Sequence, residues 1–455
     1  MSFTVYYSDP EVTSKAGFAK VANLPCIFDS RPGYHRLASA YLIDRGLGYW
    51  NPSTRGQAPA LAPSDQTIKN YAQWLANFLE WAEVRNIDLK TCTYVDHVHG
   101  RYQKEMEKGT WSRDGRALKD GTVNPRVQQA CDYLMWMSDK GHRPSFHIPT
   151  HTATIYAGTA TSSIGHRAIT VEVRDGKARK NKRALRLPSD AEVKEWLEKV
   201  YHLAGYAKGL MCELVLLSAL RRSEAAGFRV DTLPEERAAW HLNDPSAPRA
   251  NQRVRLEIKF GTKGPDYGYD HGDKIGPKRQ IWIPLELAER IHAYRQKTRN
   301  VALKKWVKSA PTLTEQRRRI DDAVHLFLDE DTGERITGKA LYNAWTAVEL
   351  PYAGWSPHLG RDYWACSILW KEVTRHEEIK KLFETGSEIA QALLESTAMS
   401  IIRLQIQPQL GHANASTSMI YLEWICNMFG VNLSIDLDRG DENELPVHPT
   451  IEVNQ

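Results

Sequence analysis

Apolar side chains recur at three- and four-residue intervals from Ile68 through Tyr71, Trp74 and Leu75 to Phe78, the spacing that lines one face of an α-helix. Ser64, just ahead of them, is a residue type that caps a helix start. A second stripe, Val127, Cys131 and Leu134 within residues 124–137, precedes Gly141, which is placed to end a helix. Together they predict a small all-helical domain over residues 61–145. The polar, Pro-rich GQAPALAPSD (57–66) separates it from residues 1–60, whose pattern suggests no role. Regular structure resumes in LPSDAEVKEWLEKV, where Ser189 and Glu192 have capping-box spacing and Val193, Trp196, Leu197 and Val200 form the stripe to be buried. The next helix, ending in ELVLLSALRRSEAAG, is apolar nearly all round, which suits the centre of a core.

At RVRLEIKF (253–260) the period changes to two: Val254, Leu256, Ile258 and Phe260 alternate with Arg253, Arg255, Glu257 and Lys259. RQIWIPL (279–285) can pair with this strand, giving a half-buried hairpin with a long Gly-rich loop from Gly261 to Pro277. From Leu285 to Trp424 the pattern is helical with short breaks, and no internal repeat is visible. The expected fold is mainly α with a small antiparallel sheet. Its second domain covers residues 187–430, joined to the first by a loop-rich, then basic, linker over 146–186 and followed by a tail over 431–455.

At 455 residues, 42% hydrophobic and 25% charged, the chain can build two or three domains with proper cores. The longest apolar stretch, around Leu214 to Leu220, is far too short to span a membrane. The opening MSFTVYYSDPEV lacks the basic-then-apolar order of a secretion signal, so the expected location is the cytoplasm. Cys26, Cys92, Cys131, Cys212, Cys366 and Cys426 lie far apart with no C-x-x-C pair, so cysteine implies neither metal nor disulfide framework. A net charge of +5 argues only weakly for a polyanionic partner. Placement says more: Arg174, Lys177, Arg179, Lys180, Lys182, Arg183 and Arg186 crowd residues 174–186, while Asp436, Asp438, Asp441, Glu442 and Glu444 make the tail acidic.

Four places present phosphate-compatible groups at structural boundaries. Arg221 ends the apolar helix, where a guanidinium needs an anion or a partner; Glu224, three positions on, is the simplest partner. Lys263 lies in the hairpin turn FGTKGPD, a place where lysine is commonly just solvated. In WSPHLGRDYWAC, Ser356 and Pro357 suit a helix start, which puts His358 and Arg361 on one face of its first turn beside free amides. The same residues also suit a plain capped surface helix. Finally, QLGHANASTSMIYLEW sets His412 and Tyr421 nine positions apart, on opposite faces of any unbroken helix. Gly411 can end one helix and let another begin, allowing the two to meet; otherwise Tyr421 is an ordinary half-buried aromatic.

Read in order, ALRRSEA, the hairpin GTKG, HLGR, and LGH followed nine positions later by tyrosine resemble the signature of the tyrosine recombinase (phage integrase) family. The resemblance spans about residues 187–425, and the preceding helical domain is similar in placement to that family's core-binding (SAM-like) DNA-binding domain. It implies a two-domain clamp on double-stranded DNA, with the basic linker crossing the backbone at Arg174, Lys177, Arg179, Lys180, Lys182, Arg183 and Arg186. It also implies that Tyr421 attacks a phosphodiester to give a 3′-phosphotyrosyl link and a free 5′-hydroxyl, with neither ATP nor metal required. Arg221 and Arg361 would then hold the non-bridging oxygens, Lys263 would protonate the leaving oxygen, His358 and His412 would handle the tyrosine proton and the phosphate, and Glu224 would orient the cluster. The family's working form is a tetramer on two DNA sites, with an accessory directionality protein in some members; the implied location is at the nucleoid.

Three departures stand beside the resemblance. HLGRD has Leu-Gly where the family more usually has Asp-Leu. The long hairpin loop allows Lys274 or Lys278 to replace Lys263. The enlarged segment over residues 371–405, between Arg361 and His412, has no family role. An element-borne integrase suits these additions best, with a type IB topoisomerase-like enzyme and a non-catalytic DNA-binding relative as the alternatives.

Overall fold

The computed structural model describes residues 3–31, 33–52, 62–157, 167–178, 185–384, 388–412 and 415–430. The chain forms two compact units, the first of residues 1–155 and 168–183, the second of residues 156–167 and 184–455.

The first unit is built on two long helices, α3 (Asp65–Val84) and α5 (Asp120–Asp139). Ser64 caps α3, its hydroxyl accepting from the Thr67 amide, and Ile68, Leu75 and Phe78 are buried as their spacing predicts. Val127, Cys131 and Leu134 of α5 face the same core, and Gly141 takes the left-handed conformation just past its end. Residues 3–31 and 33–52, which gave no pattern to read, complete this core. Strands β1 (Thr4–Tyr6) and β2 (Cys26–Phe28), with the short α1 (Pro10–Thr13) between them in the chain, pair antiparallel, and α2 (Arg36–Gly46) brings Tyr41 and Leu42 against α3 and α5. Tyr41 sits edge-on to Tyr133 at 5.4 Å and accepts from Gln129 at 2.7 Å, while Trp50 donates to Asp139 and Trp136 to Asp44, each at 2.9 Å. A π-helical stretch, Tyr94–Gln103, leads into α4 (Lys104–Lys108). The stretch expected as loop carries two paired strands, β3 (Thr150–Ala157) and β4 (Arg167–Arg174); their β-branched content, in THTATIYA and RAITVEVR, favours strand.

The second unit has α7 (Tyr206–Ser218) at its centre, with Leu210, Met211, Leu214 and Val215 fully buried. Around it lie α6 (Asp190–Ala204), the short α8 (Arg222–Ala226), α9 (Leu285–Gln296), α10 (Thr298–Lys308), α11 (Leu313–Asp322) and α12 (Gly338–Thr346). The Ser189–Glu192 capping box starts α6 as predicted, and Trp196 enters an aromatic group with Trp345 and Trp355. Strand β5 (Arg253–Phe260) buries Val254, Leu256, Ile258 and Phe260 and pairs antiparallel with β7 (Asp273–Pro284). The partner strand therefore starts six residues before the predicted RQIWIPL, and the two-residue β6 (Tyr269–Asp270) adds to its outer side. DKIGPK hides its strand character because it bulges, Ile258 facing Arg279 and Phe260 facing Ile275. A charge cluster holds this end of the hairpin, with the buried Asp273 carboxylate accepting from Arg335 at 2.8 Å and His325 at 2.5 Å.

The second core of this unit gathers α13 (Pro357–Thr374), α14 (Glu377–Glu384), α15 (Glu388–Ile401), α16 (Gln407–Leu410) and α17 (Met419–Met428). Residues 371–405 thus have a structural role: Leu394, Ala398 and Ile402 pack among Leu369, Val373, Leu422 and Ile425, so this segment supports the helix that bears Tyr421. The tail from residue 431 lies outside the described residues. Among the described residues no helix is long and apolar enough to cross a membrane.

Candidate active site

Helix α7 ends because Ala219 adopts a left-handed conformation, φ 55°, at a cost of about 1–2 kcal/mol for a residue with a Cβ. The Ser218 hydroxyl bridges the reversal, donating to Leu214 and accepting from the Leu220 amide. Arg221 thereby arrives at the start of α8. Glu224 turns back on it, accepting from the Arg221 amide at 2.7 Å and from its guanidinium at 2.9 Å. The simple ion pair foreseen from the sequence is present, but Glu224 also takes both Nε and Nη2 of Arg279 from β7, and Arg361 Nη1 from α13 lies 3.7 Å away. Three guanidiniums converge on one fully buried carboxylate. Burial works to raise the Glu224 pKa, yet Arg279 and then Arg221 hold it below the ordinary carboxylate value.

The other wall is the end of α16. Its last carbonyls have no helical partners, and each takes an arginine: Arg279 donates to Gln409, Arg361 to Leu410 at 2.9 Å, and Arg221 to Gly411 at 3.0 Å. Gly411 has φ 63°, and a Cβ there would stand 2.8 Å from Arg279 Cδ and 3.4 Å from Arg221 Nη1. Glycine is required on both counts. The Gln409 side chain fixes this end to the sheet, accepting from the Trp282 amide and donating to the Trp282 and Ser218 carbonyls, all within 2.8–2.9 Å.

The break at Gly411 brings the distant pair together. A 3-10 turn, Ala415–Ser418, precedes α17, and the His412 and Tyr421 rings lie parallel within 7° at 6.4 Å between centroids. His412 Nδ1 meets the Ser418 hydroxyl at 3.1 Å. Burial, then Arg361 and Arg221, push the His412 pKa down to about 3, so the ring is neutral at pH 7. Tyr421 is 2% exposed and donates its hydroxyl to Asp362 Oδ1 at 2.9 Å. Burial and then the Asp362 charge drive its pKa far above that of free tyrosine. Arg361 is pushed down to about 10, mainly by burial, and remains charged; its Nη1 has no hydrogen-bond partner although it is buried. A buried donor without an acceptor, inside a cluster of net positive charge, is a place for an anion.

His358 sits in the first turn of α13, exposed, and near enough for its charge to bear on His412. Pro357 occupies the first helical position, but the Ser356 hydroxyl makes no capping bond. The departure in HLGRD has a packing reason: a Cβ at Gly360 would stand 2.6 Å from the Trp345 ring. Of the hairpin lysines, Lys263 is exposed near the turn, Lys274 Nζ donates to the Gly264 carbonyl at 2.6 Å, and Lys278 pairs with Glu257 at 2.9 Å. In the basic stretch, Arg174 is buried, donating to Tyr94 and Gln103 inside the first unit, so its guanidinium is used within the protein. Lys177 is half-buried, and Arg186 lies over the Tyr352 ring at 5.3 Å. Arg179, Lys180, Lys182 and Arg183 lie outside the described residues. Sequence reasoning missed Arg279, Gln409 and Asp362. Arg279 could have been flagged as a charge in a half-buried strand; the other two had no separate signal.

Among the described residues no group of three or more His, Cys, Asp or Glu side chains is placed to hold a metal ion. The depressed His412 pKa sets a pH dependence. From about pH 6.5 down to about 3 the unfolded chain binds a proton here that the folded chain refuses, so this residue lowers stability by about 1.4 kcal/mol per pH unit as pH falls. His412→Asn should remove that part of the slope in denaturant unfolding across this range. Identical slopes in the two proteins would contradict a neutral buried His412.

No protein-family model matches the sequence, and no curated protein matches it. Solved structures do match. One is the Tn1549 transposon integrase in complex with transposon right end DNA, at 13% identity over 89% of this chain and 97% of that chain, TM-score 0.44. Another is XerA recombinase, at 13% identity over 87% of this chain and all of that one, TM-score 0.29. This chain is similar to an integrase and to a recombinase. The integrase matches again in complex with a circular intermediate DNA, at 13% identity, 85% and 94% coverage and TM-score 0.44.

Proposed function

We propose that this chain is a site-specific DNA recombinase of the tyrosine class, cutting and rejoining duplex DNA through a 3′-phosphotyrosyl link. The observation that carries this reading is a buried guanidinium cluster, one of whose donors, Arg361 Nη1, has no hydrogen-bond partner, next to the stacked His412 and Tyr421 rings, with the Tyr421 hydroxyl on Asp362, the residue after Arg361. In this reading a DNA phosphate takes that donor, and Arg221 and Arg361 turn from the α16 carbonyls to the non-bridging oxygens as charge grows in the transition state. Binding of the phosphate raises the His412 pKa and lets the imidazole donate to it. Arg279 stays on Glu224 and Gln409 and keeps the cluster in place.

Of the three lysines, Lys263 is the one to protonate the leaving 5′-oxygen, since Lys274 and Lys278 are engaged by Gly264 and Glu257. Lys263→Ala should slow cleavage by roughly 10²–10⁴-fold, the usual worth of a general acid, with smaller effects at Lys274 and Lys278. Cleavage rates of the three alanine variants on one duplex measure this, and a larger loss at Lys274 would transfer the role. Lys177, Arg179, Lys180, Lys182, Arg183 and Arg186 contact the DNA backbone in this reading; Arg174, buried against Tyr94 and Gln103, does not. Assembly as a tetramer on two DNA sites, service to a mobile element and use of a directionality protein belong to the same proposal.

The test is capture of DNA covalently attached to the denatured protein from cells, with sequencing of the trapped ends. Adducts at one or a few sites support a site-specific recombinase. Adducts spread over the genome turn the reading to a topoisomerase-like enzyme, and a protein that occupies DNA without any adduct is a non-catalytic binder.

A further inference from the structure

Tyr421 and Asp362 meet through elements that the sequence places 59 positions apart, with Tyr421 Oη donating to Asp362 Oδ1 at 2.9 Å. Arg361 and Asp362 are neighbours on α13, so successive side chains point about 100° apart. Arg361 reaches the α16 carbonyls and Glu224, while Asp362 reaches α17. Asp362 is 6% exposed, and a buried carboxylate is costly unless it is hydrogen-bonded, as it is here by Tyr421. Among the groups that bear on it are the Cys366 thiol, one turn along the same helix, and Tyr421. His412 makes its hydrogen bond to Ser418. The tyrosine hydroxyl is held by Asp362.

We infer that Asp362 is a catalytic residue, the general base that takes the Tyr421 proton during attack on DNA and returns it during rejoining. This rests on the recombinase reading. In the forward step the Tyr421 Oη–H proton passes to Asp362 Oδ1 as Oη forms its bond to phosphorus, and the bond from phosphorus to the 5′-oxygen breaks, that oxygen leaving with a proton from Lys263. In the reverse step the 5′-hydroxyl attacks phosphorus, Lys263 recovers its proton, and Oη leaves and regains its own from Asp362. Atoms and charge balance over the cycle. A carboxylate is too weak a base to ionise resting tyrosine, so transfer occurs as the new bond forms and the phenol oxygen becomes acidic. Before DNA arrives the same contact keeps Tyr421 protonated, which guards against premature attack.

The experiment is single-turnover adduct formation on the duplex recovered by covalent capture, made once with the ordinary 5′-oxygen and once with sulfur in its place, for wild type, Asp362→Asn and Asp362→Glu. Asparagine keeps the size and a hydrogen-bond acceptor; glutamate keeps the carboxylate. The expected result is a roughly 10²–10⁴-fold loss for Asp362→Asn on both substrates, partial recovery with glutamate and unchanged DNA affinity. An Asp362→Asn protein that cleaves as fast as wild type or faster overturns the assignment, leaving Asp362 as a latch. A defect that disappears with sulfur places Asp362 on the leaving group and overturns it too. If Asp362→Asn does not fold, the glutamate variant decides: a folded variant that keeps part of the wild-type rate on both substrates supports a base, and an inactive folded variant overturns it. Wild type with no adduct on any duplex overturns the recombinase reading itself, a result distinct from all of these.

Discussion

Replacement of Tyr421 by phenylalanine is expected to reduce covalent protein–DNA adducts to background while leaving a folded protein that binds DNA. The ring is packed among Leu422, Cys366 and Leu369, and phenylalanine retains that packing. What is lost is one hydroxyl and its bond to Asp362, a hydrogen bond to a charged group being worth about 1.5–3 kcal/mol. The variant should therefore melt lower by a few degrees and still occupy DNA. Chemistry should stop; the Ser418 hydroxyl, fully buried and bonded to His412, is not placed to substitute. Adduct capture from cells, with occupancy measured in parallel by reversible crosslinking, gives both quantities. Adducts that persist in the folded variant would place the nucleophile elsewhere.

Glu224→Gln carries the largest expected loss of stability. Three guanidiniums surround a carboxylate that is 1% exposed, and neutralising it leaves buried positive charge without a counterion. Removing one partner of a buried pair costs about 3–5 kcal/mol, a large part of the 5–15 kcal/mol that holds a typical domain together. Since the folded pKa of Glu224 lies below its unfolded value, this contribution is complete above the unfolded pKa of about 4.3 and is lost as pH falls through the folded value. Urea unfolding at pH 7 and at successively lower pH should show a wide gap between wild type and variant that narrows as pH falls below the unfolded pKa of Glu224. A variant as stable as wild type at pH 7 would mean that the guanidiniums find other anions or solvent. Excess phosphate should restore part of the loss, as a ligand that binds only the folded cluster stabilises it.

The long, regular stretches were legible because their periods follow from local geometry. Helix α3, the capping box of α6, the alternation of β5 and the positions of Arg221, Glu224, His358, Arg361, His412 and Tyr421 along the chain could all be read from spacing and turn chemistry. Other features had no local signature. Residues 3–31 and 33–52 are short pieces that become a core only against α3 and α5. β7 conceals six residues behind a bulge and a Gly-Pro pair, and its anchor, Asp273, depends on His325 and Arg335 from a distant segment. Arg279, Gln409 and Asp362 act through partners 55 to 191 positions removed. Arg174 shows the reverse error, since a charge that looked free in a basic run is committed to Tyr94 and Gln103.

The seating of three arginines on the end of α16 has an evolutionary consequence. The acceptors at positions 409, 410 and 411 are main-chain carbonyls, which every amino acid supplies, so no single substitution deletes them. Selection acts there on curvature, through Gly411, and on anchorage, through Gln409, while Leu410 answers only to the apolar core beneath it. An arrangement held by backbone acceptors can persist through extensive drift of the surrounding letters. Its record in descendants would be an arginine triad and one glycine, with little else in common.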